Sequence, residues 1–195
     1  MATQKQRSDE TRLKLLTAFR TAFLERGYAA TTVQQVLDQT GLSKGALYHH
    51  FASKTEIIEA LFEHESRTAI DRVLTRLDPS ASALARLRTA CVAWTREVRD
   101  PDVSKILFEI GPSALGARKA KQIEDKYALA RIEALLDEAA LAGEIVAPQP
   151  RLIAAFLNAL VAEAGLFHLR TGTDSSATLA ASIDALFASM APSGT

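Results

Sequence analysis

The 195-residue chain predicts an all-α fold, and three observations carry that prediction. Apolar residues recur at helical spacing along nearly the whole chain, and no stretch of four or more residues alternates as a strand does. Ala and Leu abound while aromatic residues make up only 6%, a composition that suits helices packed on helices. The nine Gly and six Pro fall mainly at the ends of apolar runs, where they act as stops.

About nine helices follow. The first is read over Asp9 to Arg26, with Leu15, Leu16, Phe19 and Phe23 on one face and Gly27 as its stop. Thr31 or Thr32 caps a short second helix carrying Val33, Val36 and Leu37, which Thr40-Gly41 ends. A third starts at Ser43 and stops near His50. Ser53-Lys54-Thr55-Glu56 reads as a capping box opening a long fourth helix to about Leu77, where Asp78-Pro79 stops it. Five longer helices are expected beyond: Ala81 to Arg99, Pro101 to Ile110, Ala117 to Ala142, Pro150 to Arg170, and Ser175 to Met190. Phe108-Glu109-Ile110-Gly111-Pro112 is expected to break the sixth. Residues 8–68 are read as one domain and 69–195 as a second, with loose tails over the first eight and last four residues.

The composition, 48% hydrophobic and 24% charged, is that of a globular protein. The single cysteine, Cys91, has no partner for an internal disulfide, and the first thirty residues lack the pattern of a signal peptide, so the cytoplasm is the expected compartment. Leu152 to Leu169 is nearly apolar, but Asn158, Glu163 and His168 interrupt it, so it is read as a buried helix and no membrane partner is expected. An enzyme is not expected either. Cys91 has no His near it in sequence, and neither a zincin motif nor a phosphate-binding glycine loop occurs. No cofactor and no metal site are foreseen, since His49 and His50 point about 100° apart on a helix and lack acidic or Cys partners.

The informative segment is Thr31 to Phe51, TTVQQVLDQTGLSKGALYHHF. Two short amphipathic helices flanking a turn with a glycine form a helix-turn-helix over about residues 31–50, whose second helix lies in the major groove of DNA. Lys44 and Lys54 each follow a capping Ser, so two cations sit at the positive ends of helix dipoles, where Asp or Glu is favoured by about 0.3 to 1 kcal/mol. A phosphate backbone would accept both, although plain solvation of either lysine is the competing reading. Gly45 costs roughly 1 kcal/mol in a helix relative to Ala, and its bare backbone admits close approach of a ligand. Tyr48, His49 and His50 end the helix with donors suited to phosphate oxygens.

Residues from about Ser8 to Glu65 resemble the amino-terminal domain of TetR-family transcriptional regulators, and GLSKGALYHHFASK, Gly41 to Lys54, is very close to that family's recognition-helix consensus. The resemblance implies a homodimeric, DNA-binding repressor with a ligand-binding and dimerisation domain behind its reading head. It implies phosphate contacts from Thr32, Tyr48, His49 and Lys54, and a groove-facing set of Ser43, Lys44, Gly45 and Ala46. Leu37 departs from the family, which often has alanine there, so the second and third helices are expected to pack slightly apart.

Charge counted by region agrees. The formal net charge is zero, but residues 1–50 hold seven Lys/Arg against four Asp/Glu, while residues 51–195 hold sixteen against nineteen. A modestly basic head on an acidic bundle suits double-stranded operator DNA as a partner. Helices eight and nine are apolar around much of their surface, with Ile153, Phe156, Leu157, Leu160 and Phe167 assigned to one face of helix eight, and they are expected to pair with a second copy as a four-helix bundle. Helices four to eight are expected to enclose an effector pocket for a small lipophilic or aromatic molecule. Its candidate lining is Phe62, Ser66, Cys91, Trp94, Phe108, Tyr127, Arg131 and Phe167, with plain core packing the competing reading for each.

Overall fold

Most helix starts among the described residues can be traced to a capping side chain, a glycine or a proline. The computed structural model describes residues 3–147 and 149–192, and among them there are helices and no strand. They are α1 (Gln4–Ala30), α2 (Val33–Thr40), α3 (Lys44–His50), α4 (Lys54–Leu74), α5 (Ala83–Glu97), α6 (Pro101–Ser104), a π-helical segment (Lys105–Ile110), α7 (Gly111–Leu115), α8 (Ala117–Leu141), α9 (Pro150–Thr171) and α10 (Ser176–Ser189). Taking the three contiguous segments from Pro101 to Leu115 as one run gives nine helices among the described residues.

Two expectations about boundaries are corrected. Residues 4–8 are helix rather than tail, because Thr3 and Gln6 form a reciprocal capping box: the Gln6 amide donates to Thr3 Oγ1 at 3.2 Å and the Thr3 amide to Gln6 Oε1 at 2.7 Å. At the other end, residues 193–195 lie outside the described residues. Gly111-Pro112 does not break the sixth helix. The chain passes through it as a π turn, Pro112 sits in the first turn of α7 where its missing amide costs nothing, and the break comes at Gly116 with φ 81°. The stop at Gly27 is observed as one non-helical residue, φ 79° and ψ 164°, within α1.

The described residues form two compact units. One contains the residues up to Glu65 together with Lys105–Lys121, and the other contains Ser66–Ser104 and the residues from Gln122 onward. In the first, Leu15, Leu16, Phe19 and Phe23 of α1 are buried as one stripe, and Val36, Leu37, Leu47 and Phe51 close over it. The downstream segment is tied into the same unit: Lys105 Nζ donates to the Leu24 carbonyl at 2.7 Å, and Lys119 pairs with Glu59 at 2.6 Å. Gly111 seats against Phe62 so closely that a Cβ there would stand 2.1 Å from Phe62 Cδ2.

The second unit is a bundle in which α5 packs on α9 and α10. Its core gathers Leu87 and Cys91 of α5, Leu136 of α8, Leu157 of α9, and Leu179 and Ile183 of α10. The Glu144 carboxylate accepts from the amides of Ala83 and Leu84 at 3.0 and 3.3 Å, which meets the free donors at the start of α5. Arg72 and Arg76 both bind the buried Glu97 at 2.6 Å.

Helix α9 is not the buried helix expected. Ala154, Leu157, Val161 and Gly165 face the core, but Leu152, Phe156, Leu160 and Phe167 lie 38–50% exposed, so the residues assigned to one face are divided between two. By length and composition alone α9 could cross a membrane, with 22% of its apolar window buried. Its inner face belongs to the bundle core, and Asn158 donates to Asp125 at 3.4 Å.

Candidate nucleic-acid interface

Thr32, not Thr31, caps α2. Its Oγ1 accepts from the Gln35 amide at 3.3 Å while its own amide donates to Gln35 Oε1 at 3.1 Å. Thr31 is wholly buried and anchors the joint instead, its hydroxyl lying 3.0 Å from the Ala22 carbonyl and 2.8 Å from that of Gly27. Gly41 ends α2 in the left-handed region, φ 66°, and sends its amide to the Leu37 carbonyl at 2.9 Å. Ser43 then caps α3 by accepting from the Ala46 amide at 3.1 Å. Leu47 is fully buried and Leu37 is 3% exposed, so the larger residue at the helix crossing is absorbed into the core.

That burial aims the other face of α3 outward. Ser43, Lys44, Gly45, Tyr48 and His49 are exposed and Ala46 is half-buried, so the groove-facing set and the expected phosphate contacts of this helix share one surface. Tyr48 is 55% exposed. Gly45 is informative because nothing among the described residues requires it: a Cβ there would meet only Ser43 Oγ, at an ordinary 3.8 Å. The residue is tolerated at a cost of about 0.5 to 1 kcal/mol without any internal packing reason.

Lys54 behaves differently from Lys44. Its Nζ donates to the carbonyls of Tyr28 and Thr31, both at 2.8 Å, and lies 4.3 Å from the centre of the Tyr28 ring. The negative partner expected beside its helix start is thus internal. Lys44 has no ion-pair partner among the described residues. Ser53 and Glu56 do cap α4, though Glu56 reaches back to the Ala52 amide at 2.6 Å, one residue before Ser53.

Sequence reasoning missed Lys5 and Arg7, which it left in a tail. The Thr3-x-x-Gln6 capping box was the signal for the extra helical turn, and that turn places Lys5, Arg7, Ser8 and Thr11 along an open groove whose other wall is Gly45, Ala46, His49 and His50. Lys5, Arg7, Lys14 and Lys44 are exposed cations without ion-pair partners among the described residues. In the bundle, Arg72, Arg76, Arg86, Arg88, Arg99 and Arg170 each sit on a carboxylate. Burial, then the neighbouring His49 and Arg12, hold the His50 pKa below its ordinary value, with Asp9 opposing them.

The candidate pocket residues are dispersed. In the first unit Phe62 is fully buried against Gly111, and Phe108 is half-buried in the π segment. In the second, Ser66 is buried with its hydroxyl unpaired among the described residues, Cys91 and Trp94 pack into the bundle core, and Tyr127 is half-buried with Lys126 Nζ 5.2 Å from its ring centre. Arg131 and Phe167 are exposed. Burial pushes the Cys91 thiol up to about 12, so it is an apolar packing group and not a thiolate.

Residues 15–61 match the family profile described as "Bacterial regulatory proteins, tetR family", and residues 84–190, more than half of the chain, match "Tetracyclin repressor-like, C-terminal domain". The chain belongs to the TetR family. It is 30% identical over 105 residues to the HTH-type transcriptional repressor KstR2 of Mycobacterium tuberculosis, a match that covers 53% of this chain and 52% of that relative. The chain therefore spans about half the length of the first curated relatives it matches. A TetR-family regulator from Pectobacterium atrosepticum superposes with a TM-score of 0.71 at 26% identity, covering 95% of this chain and 94% of that one. FadR from Bacillus subtilis, solved in complex with stearoyl-CoA, shares the fold with a TM-score of 0.68 at 21% identity, over 90% of this chain and 96% of that one.

Proposed function

We propose that the chain is a ligand-responsive transcriptional regulator acting in the cytoplasm, a repressor released from a palindromic operator by a small lipophilic or aromatic effector. One observation carries the reading: α3 is braced by a buried core on one side and offers Lys44, Gly45, Tyr48 and His49, free of internal duties, on the other. Such a helix fits the major groove, with Thr32, Ser43 and Ala46 completing the contact surface and Lys5 and Arg7 facing the phosphates beside it. Lys44→Ala and Tyr48→Phe are expected to weaken binding to the intergenic DNA beside the protein's own gene by several fold in a gel shift. Variants that bind as tightly as the parent refute the reading.

The exposed stripe Leu152, Phe156, Leu160 and Phe167 on α9, together with the small exposed residues Ala181, Ala185 and Ala188 of α10, is the surface a second copy covers. The dimer sets two α3 helices about 34 to 36 Å apart, one turn of duplex. The effector binds the state with the wrong spacing more tightly, and 1 to 3 kcal/mol of coupling, about 5- to 150-fold, releases the operator. A lipophilic effector is in keeping with FadR, which has the same fold and was solved in complex with stearoyl-CoA. A reporter driven from the operator rises on deleting the gene if the protein represses and falls if it activates.

A further inference from the structure

The geometry points to Lys54 as a positioning residue that closes the helix-turn-helix at its base, not as a phosphate contact; this rests on the DNA-reading assignment above. The motif runs from its cap at Thr32 to the end of α3, where Phe51 is buried. Residues 31 and 54 lie just outside its two ends, and the 2.8 Å contact from Lys54 Nζ to the Thr31 carbonyl joins them across a gap of 23 positions. Thr31 is in turn held to α1 through the carbonyls of Ala22 and Gly27. A second bond from the same ammonium reaches the Tyr28 carbonyl, the Tyr28 ring lies 4.3 Å beneath it, and the Tyr28 and Thr55 hydroxyls approach to 3.3 Å. Entry and exit of the motif are therefore clasped to one point on α1.

The chemistry of the clasp explains why a lysine is used. The break at Gly27 and the extended cap at Thr31 interrupt the helical ladder at the end of α1, so carbonyls there call for donors from outside the helix. One ammonium satisfies two of them, and a flat aromatic face completes its surroundings. With two of three N–H groups and one flank committed, the charge is directed inward. What the clasp supplies to DNA binding is the fixed height of α3 above α1, so its loss is felt by base reading before it is felt by charge neutralisation.

The test compares Lys54→Met with the parent in titrations against operator and random duplex over a range of salt. A positioning role predicts a fall of about tenfold in the ratio of operator to random affinity, with the slope of log K against log salt unchanged. Loss of a phosphate contact instead weakens both duplexes alike and lowers the slope by about 0.9. That outcome, or no change in either quantity, overturns the proposal. Lys54→Arg retains two donors for the carbonyls and is expected to recover much of the ratio. Should the Met variant fail to fold, Tyr28→Leu removes the ring and the Thr55 contact at a position that reaches no phosphate in either reading, and the same two outcomes decide. Amide exchange in α2 and α3 without DNA is expected to quicken about tenfold in either variant, which separates failure of the clasp from failure of the DNA-reading assignment: a parent that prefers no duplex while these amides quicken sinks only the latter.

Discussion

Replacing Gly45 by Ala should make the free protein more stable and a poorer reader of DNA. The added Cβ would meet only Ser43 Oγ at 3.8 Å, so no steric term opposes the gain in helix propensity. Glycine in a helix costs about 0.5 to 1 kcal/mol relative to alanine, and position 45, in the first turn of α3, lies toward the lower figure. For a chain of this size 1 kcal/mol corresponds to about 2 to 4 °C, so a rise of about 1 to 4 °C in Tm is expected, read by circular dichroism at one fixed protein concentration because dimerisation shifts Tm too. In the proposed docking, the methyl group would stand where the backbone of α3 comes closest to the bases. Holding the helix off the groove is expected to weaken operator binding by about tenfold or more, equivalent to 1.4 kcal/mol. An unchanged Tm refutes the claim that nothing internal requires this glycine. Unchanged affinity refutes the claim that the duplex does.

Phe156→Glu places a charge in the exposed stripe of α9 and is expected to convert the dimer to a 21.1 kDa monomer in sedimentation at micromolar concentration, with operator binding lost; a persisting dimer locates the interface elsewhere. The depressed pKa of His50 means the free protein binds fewer protons there than the unfolded chain, so stability from this group rises with pH and is lost as pH falls below about 6.5. Phosphates favour the imidazolium, so operator affinity is expected to increase from pH 8 to 6, and His50→Gln should flatten that profile; an equal profile in the variant assigns the titration to another group. Gly111→Ala drives a Cβ to 2.1 Å from Phe62 Cδ2 and 2.9 Å from the Ile106 carbonyl and is expected to cost about 1 to 3 kcal/mol, partly recovered by Phe62→Leu. A neutral Gly111→Ala in thermal unfolding contradicts the packing described.

The helices and the motif were legible because their signals are local. Ser43, Gly41 and Ser53 declare helix ends through bonds to residues three or four positions away, and Leu47 and Val36 declare the core by spacing. What could not be read depends on residues distant in sequence. Lys54 has the composition of a phosphate contact, and only the return of the α1 terminus, 23 and 26 positions earlier, reveals its partners. The face of α9 was misassigned for a related reason: Phe156 and Leu157 are equally apolar, and periodicity alone does not say which side a single chain buries. Gly111-Pro112 reads as a break because Gly-Pro usually ends a helix, whereas here the proline opens the next turn.

The contribution of Lys105–Lys121 to the first unit has a consequence for synthesis and for recombination between relatives. A nascent chain that has emerged only through α4 lacks the hook onto Leu24, the seat for Phe62 and the partner of Glu59, so the unit completes itself only after a further stretch including all of α5 has been made. A fragment ending near residue 68 is for the same reason an unfinished piece, leaving Phe62 without its cover. Chimaeras that graft this recognition helix onto another sensor should carry residues 105–121 along with the first 65, since the two stretches share one core and are expected to vary together.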